Sequence, residues 1–158
     1  MILLAALALA APPPCEPPRG EHTFTLGLNA AGHGFGGLAV LEYAGDGSGD
    51  FTLVALSPAG PPLFTVNYAA GVTTAVAPLF PEMQPWLERL PLARDLRLLH
   101  TNTSTSCAAP AGRILTFEGG RRWCGVGGPA RVVVEADGRA NLRDVWRRYT
   151  LTYVPVSL

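Results

Sequence analysis

The sequence predicts a mainly β fold: a strongly curved antiparallel sheet forming an unclosed β-barrel, with a short helical insertion acting as a lid. Three observations lead there. From residue 22 onward, apolar and polar side chains alternate with a period of two in one short run after another. Turn residues such as Asp46-Gly-Ser-Gly-Asp50, Ser57-Pro-Ala-Gly-Pro-Pro62 and Asp137-Gly138 separate these runs. Only residues 81–100 break the pattern, in favour of a helical spacing. With 158 residues, of which 48% are apolar, the chain is long enough for one domain with a substantial core.

The elements follow in order. Phe24, Leu26 and Leu28 alternate with Thr23, Thr25 and Gly27, the pattern of a half-buried strand. Leu38 to Tyr43 forms a second strand, Phe51 to Leu56 a third, and Phe64, Val66 and Tyr68 mark a fourth. Val72 to Ala77 follows a turn at Gly71. Pro85 fits the first turn of a helix that puts Trp86, Leu87 and Leu90 on one face. Pro91 interrupts it and opens a second helix, in which Leu92, Leu96 and Leu99 recur at i, i+4 and i+7. Thr101 to Ser106 is a polar loop. Arg113 to Glu118 and Trp123 to Val126 form a hairpin across Glu118-Gly-Gly-Arg121. Arg131 to Ala136 precedes the Asp137-Gly138 turn, and the last strand carries Tyr149, Leu151 and Tyr153. A sheet of about eight or nine such strands has one apolar face, and 81–100 is the only segment available to cover it.

The N-terminus reads as a targeting segment. Met1 to Ala11 is an apolar run of signal-peptide length, too short to cross a bilayer as a helix, and Ala8-Leu9-Ala10 fits a cleavage site. Residues 12–21 are a proline-rich tether, extended and semi-rigid. The β domain then spans 22–158. Cys15 directly follows the apolar run, the position of the lipid-acceptor cysteine of a bacterial lipoprotein; cleavage after Ala10 with Cys15 left as a spare thiol is the alternative. Export places Cys107 and Cys124 in an oxidising compartment, where the two are expected to bridge. That bridge would close a loop of about 18 residues, worth roughly 3 kcal/mol in the chain-entropy model.

Composition narrows the function classes. The formal net charge is zero, which argues against a nucleic-acid partner. All twelve basic residues are arginine, and eight of them fall in residues 113–158 against four acids. That asymmetry is either a solvated surface or a docking patch for an acidic partner. No catalytic motif emerges. Gly32-His-Gly34-Phe-Gly-Gly37 matches a dinucleotide-binding string, but a strand follows it where a helix is required, so it reads as a flexible loop. Asp46, Ser48 and Asp50 read as a plain turn, lacking the later glutamate of a calcium loop. His22, His33 and His100 are dispersed, and Glu82, Glu88 and Asp95 suit a solvated helix face. The expectation is a protein without a catalytic step, cofactor or metal.

The run Phe51-Thr-Leu-Val-Ala-Leu-Ser-Pro-Ala-Gly-Pro-Pro-Leu-Phe-Thr-Val-Asn-Tyr-Ala-Ala-Gly-Val72 resembles one found in LolB-like outer-membrane lipoproteins, of the LolA/LolB lipoprotein-carrier superfamily. A strand ends in a Pro-x-Gly turn, the next strand follows, and a glycine precedes a short third. The resemblance covers residues 22–156 and is closer to the wider family than to LolB itself. It implies a concave face that holds lipid or lipoprotein acyl chains, a periplasmic carrier as partner, and an outer-membrane location with the periplasmic face of the membrane reached through lipidated Cys15. Phe24, Leu26, Val40, Leu53, Phe64, Val66, Tyr68, Phe117, Val134, Leu151 and Tyr153 would line the cavity, with Trp86 and Leu90 in the lid. Where LolB carries an exposed leucine in the Pro-x-Gly turn, this chain has Ala59, which offers far less apolar surface for membrane insertion. The rival expectation is a structural or interaction module with a filled core that works through its arginine-rich surface.

Overall fold

The computed structural model describes residues 12–58, 61–101, 106–109, 113–125 and 131–157, with the backbone alone at 113, 114 and 131. The expected signal segment 1–11 and Ala59 lie outside the described residues. Eleven strands form one antiparallel sheet that does not close into a barrel. They are β1 (Glu21–Ala30), β2 (His33–Tyr43), β3 (Phe51–Leu56), β4 (Pro62–Ala69), β5 (Val72–Val76), β6 (Cys107–Ala109), β7 (Arg113–Glu118), β8 (Arg121–Gly125), β9 (Arg131–Val134), β10 (Ala140–Asp144) and β11 (Tyr149–Pro155). Helices α1 (Met83–Arg89) and α2 (Leu92–His100) fall between β5 and β6.

The sheet order is β5-β4-β3-β2-β1-β11-β10-β9-β8-β7-β6. Two meanders, β1–β5 and β6–β11, therefore meet along the single pairing of β1 with β11. Tight turns close the meanders. The β1–β2 and β4–β5 hairpins each turn on an Ala-Gly pair at positive φ, Ala31 at 50° with Gly32 at 84° and Ala70 at 51° with Gly71 at 81°. Positive φ at both central residues matches the right-handed twist of the flanking strands.

Period-two burial follows the predicted faces in most strands. Phe24, Leu26 and Leu28 are buried in β1, Phe51, Leu53 and Ala55 in β3, and Tyr149, Leu151 and Tyr153 in β11. Strand β2 departs from expectation. Its inward residues are Ala39, Leu41 and Tyr43, so Val40 lies on the outer face. The sequence Leu38-Ala-Val-Leu is apolar on both faces, and pairing decides between them. Phe24 pairs with Ala39, Ala39 with Ala55, and Ala55 with Phe64. This row sets two small residues between two rings, and it places the larger Val40 outside.

Three other differences have local reasons. The glycine-rich string expected as a loop is the first half of β2, paired with β1 from His33 onward. Glycine weakens a strand, but continuous pairing on the β1 side overrides that preference. Strands β6 and β10 add to the expected set. β10 buries Ala140, Leu142 and Asp144, a small, a large and a charged residue, which is a faint apolar signal. β6 is three residues long.

α1 and α2 lie in the concave face. Leu87 from α1 and Leu92, Leu96, Leu98 and Leu99 from α2 are buried in one core cluster with the strand residues. Pro91 ends the first helix and starts the second, as the sequence predicts. Edge strand β5 is also covered. The backbone N–H of Ala75 donates to the Glu88 carboxylate (2.9 Å) and that of Ala77 to the Gln84 side-chain oxygen (3.4 Å). These α1 side chains occupy edge groups that would otherwise template another strand.

Candidate functional site

The expected cavity inside the curve of the sheet is occupied by the protein itself. Phe24, Leu26, Leu53, Phe64, Val66 and Leu151 are all 0% exposed, and Leu87, Leu92 and Leu96 from the helices match them at 0%. Val134 and Tyr153 belong to the same buried cluster, and Trp86 packs against its margin. Phe117 follows Leu115 on the inward face of β7 but remains 42% exposed. These side chains form a packed core, whereas Val40 looks outward.

The open space lies instead at the seam where the sheet fails to close. The proline-rich segment does not project as a tether. It runs beside edge strand β6, with Pro14 bridged parallel to Ala108. Ala108 N–H donates to the Pro13 carbonyl (2.8 Å), and Cys15 N–H donates to the Ala108 carbonyl (2.9 Å). A disulfide joins Cys15 to Cys107, and Cys124 is a buried free thiol. The expected Cys107–Cys124 bridge is thus corrected. Cys107 and Cys124 pair with Leu115 from opposite sides. That sets them two strand spacings apart, roughly 9.6 Å, beyond the ~7 Å that a disulfide spans. Lipid attachment at Cys15 is corrected with it, because a sulfur held in a disulfide cannot carry a thioether-linked lipid.

The strap formed by Cys15, Glu16, Pro17 and Pro18 makes one bank of a groove of about 520 Å³. Tyr68 and Thr73 form the other bank, and α2 with the preceding Leu90 and Pro91 forms the floor. The volume lies within the roughly 300–1,000 Å³ of small-molecule sites. Most of the lining is apolar, and the guanidinium groups of Arg94 and Arg97 and the carboxylate of Glu16 interrupt it. Arg94 Nε donates to Asp95 Oδ1 at 2.6 Å, while its buried Nη2 lies 3.9 Å from the Asp144 carboxylate without a hydrogen bond. Arg97 Nη1 donates to the Tyr68 hydroxyl (3.1 Å), and its Cζ stands 5.1 Å from the Tyr68 ring centre. Its buried Nε has no hydrogen-bond partner among the described residues. Gly49, at φ 76°, lets the backbone approach Arg97, since a Cβ there would come within 2.9 Å of the guanidinium. The floor is amphipathic by helix geometry: Leu92, Leu96 and Leu99 face the sheet, and Ala93, Arg94 and Arg97 face the groove.

A polar network closes the end of the core near the C-terminus of α2. The Tyr43 hydroxyl donates to the Leu96 carbonyl (3.1 Å), so its oxygen accepts the Nδ1–H of His100 (2.8 Å). His100 Nε2 is then left to accept from the Tyr153 hydroxyl (2.9 Å). This chain of donors holds His100 as one neutral tautomer. Burial, then the neighbouring His22 and Arg122, push its pKa well below the usual value. Burial also raises Tyr153 to about 12, with Arg122 opposing. His22 stacks on His100 with ring centres 4.0 Å apart. Arg122 donates to the Thr101 carbonyl (2.5 Å) and to the Leu99 carbonyl, capping the last turn of α2 with a positive charge.

Of the sequence-predicted ligand residues, only Tyr68 and Leu90 line the seam groove. Sequence reasoning missed Arg94 and Arg97, whose i, i+3 spacing opposite a leucine stripe is an available signal. It also missed the convergence of His22 and His100 with Tyr43 and Tyr153, which no local spacing reveals. Asp46 Oδ1 accepts from the Ser48 backbone and hydroxyl, the bonding of a turn. Glu82 and Glu88 lie on an exposed face as expected, with Glu88 accepting from Ala75, but Asp95 is corrected: it is fully buried and held by Arg94. Among the described residues no helix is long and apolar enough to cross a membrane. In comparison with known proteins, no family model and no curated protein matches the chain.

Proposed function

We propose that this is an exported, non-catalytic protein of the cell envelope that holds the acyl chain of a lipid or lipoprotein in the seam groove. The observation that carries the reading is the groove itself, about 520 Å³ and mostly apolar, with two arginines against the one carboxylate of Glu16 in its lining. An acyl chain needs an apolar channel, and a carboxylate or phosphate at its end needs a guanidinium. The signal-like N-terminus and a strap fastened by a disulfide fit an oxidising compartment. The resemblance to LolB-like lipoproteins supports lipoprotein acyl chains as cargo and a periplasmic carrier as donor, with the binding place moved from the sheet interior to its seam.

Native mass spectrometry of the chain exported by a bacterial host tests this. The expected result is an adduct of lipid mass that is lost on unfolding and weakened by Arg94→Gln with Arg97→Gln. A clean apo mass after incubation with fatty acids, phospholipids and a triacylated peptide would overturn it. The packed sheet interior then favours the second reading, an interaction module acting through its arginine-rich surface.

A further inference from the structure

One end of the sheet presents a surface that the groove does not use. Strand register brings the β1–β2 turn, the end of β5 and the β10–β11 turn to this end, since Ala30 pairs with both His33 and Tyr149, and Thr65 with Val76. The β10–β11 turn, Val145 to Arg148, carries Trp146 at 81% exposure, the most exposed large apolar side chain of the described residues, with Val145 at 55%. Leu79 and Phe80, which follow β5, are also exposed at this end.

The turn is held in place rather than trailing. Asp144, buried at its base, accepts the Arg147 backbone N–H (3.1 Å) and the Arg147 guanidinium (3.0 Å). Burial works to raise the Asp144 pKa, but the bonds from Arg147 and the charge of Arg94 outweigh it and hold the carboxylate ionised. Trp146 is thus pointed outward by a fixed base. Arg143, Arg147 and Arg148 flank it and outnumber Asp144, so the tip is locally cationic in a chain of zero net charge. An indole tip ringed by arginine suits the boundary between headgroups and acyl chains, where an amphipathic ring sits and guanidinium groups meet phosphate.

We propose that this tip docks the protein on an anionic phospholipid surface, with Trp146 entering the interface and Arg143 and Arg148 meeting headgroups. Leu79 and Phe80 form a second apolar point at the same end of the sheet. The α1–α2 junction, with Leu90 and Pro91 in the groove floor, lies toward this end, because Arg94 in the first turn of α2 reaches Asp144. Docking at this end places Leu90 and Pro91 of the groove floor on the membrane side, while Tyr68 and Thr73, beside the β4–β5 turn, line the far end of the groove.

The test is co-sedimentation of the full chain with phosphatidylglycerol-containing vesicles, compared with pure phosphatidylcholine. Binding is expected on the anionic vesicles and is reduced at high salt. Trp146→Ser, whose exposed position leaves folding intact, should lower partitioning about tenfold or more. Arg143→Gln with Arg148→Asn should lower it roughly twenty-five-fold, about fivefold for each charge. Brominated acyl chains should quench tryptophan fluorescence in the native chain and lose that effect in Trp146→Phe. Trp146→Ser sedimenting like the native chain, absence of quenching, or equal binding to both vesicle types would each overturn the proposal. Trp146→Ser should keep its lipid adduct in native mass spectrometry, so failure of the docking proposal and failure of the groove reading are separately visible.

Discussion

Replacing Cys15 and Cys107 by serine removes a crosslink between residues 92 apart in sequence. In the chain-entropy model a loop of that length restrains the unfolded chain by about 4.6 kcal/mol at 25 °C. The strap otherwise holds to the domain by a short parallel bridge at the β6 edge. With a denaturant slope of roughly 4 kcal/mol/M in guanidinium chloride, the loss corresponds to a midpoint about 1 M lower. Equilibrium unfolding followed by circular dichroism measures it, and alkylation identifies the bond. Cys124 is buried, and burial pushes its thiol up to about 11, so the native protein should label very slowly. Unfolding without reductant should expose one reactive thiol, mapped to Cys124, and reduction should expose all three cysteines. A midpoint within about 0.2 M of the native chain would refute the entropy argument. Labelling of Cys15 in the unreduced, unfolded chain would refute the pairing itself.

Three further outcomes follow from the core, the buried histidine and the sheet edge. Leu96→Ala, at a fully buried position under α2, should cost about 2–5 kcal/mol in thermal or chemical unfolding; a loss below ~1 kcal/mol would mean that the helix is not seated on the sheet as described. His100 has a folded pKa depressed below its unfolded value, so the unfolded chain binds a proton that the fold refuses. Stability should be full above about pH 6.5 and fall as pH drops below it, by at most ~1.4 kcal/mol per pH unit from this group. In His100→Gln that slope between pH 6.5 and 5 should flatten, and an unchanged slope would exclude His100 as its source. Glu88→Ala with Gln84→Ala should uncover the N–H groups of Ala75 on edge strand β5 and of Ala77 just beyond it. Concentration-dependent self-association by light scattering is expected, and a strictly monomeric double variant would show that the edge is protected by something else.

The sheet was legible because its strands carry the period-two pattern on one face, and the helices because Pro85 and Pro91 punctuate a leucine stripe. What stayed hidden depends on partners far away in sequence. The face of Val40 is decided by the pairing of Ala39 with Phe24 and Ala55, which a pattern internal to β2 cannot contain. The disulfide partner of Cys107 is decided by where the strap lies along β6, so counting cysteines selected the nearer residue, Cys124. Apart from Val40, the apolar strand residues read as a cavity lining are correct as inward positions. Their role was misassigned because inward alternation is the same for a lined cavity and a packed core, and the volume of Leu87, Leu92 and Leu96 settles which one forms. The arginines of α2 went unmarked, since nothing local announces that a proline-rich strap comes to lie across them.

The meeting of the two meanders along β1 and β11 shapes how the chain folds. Every neighbour pair in the sheet is also adjacent among the strands in sequence, with that one exception. Each meander can zip from its own hairpins, while β1 must wait for the last strand before the centre of the sheet exists. The slow event is therefore expected to be a single closure spanning most of the chain. β1 starts and β11 ends at the same edge of the molecule, where Phe24 pairs with Pro155. A circular permutant cut between α2 and β6, with the old ends joined, would connect β11 to β1 through the strap in place of most of the chain. It should refold faster than the native order while keeping the same sheet.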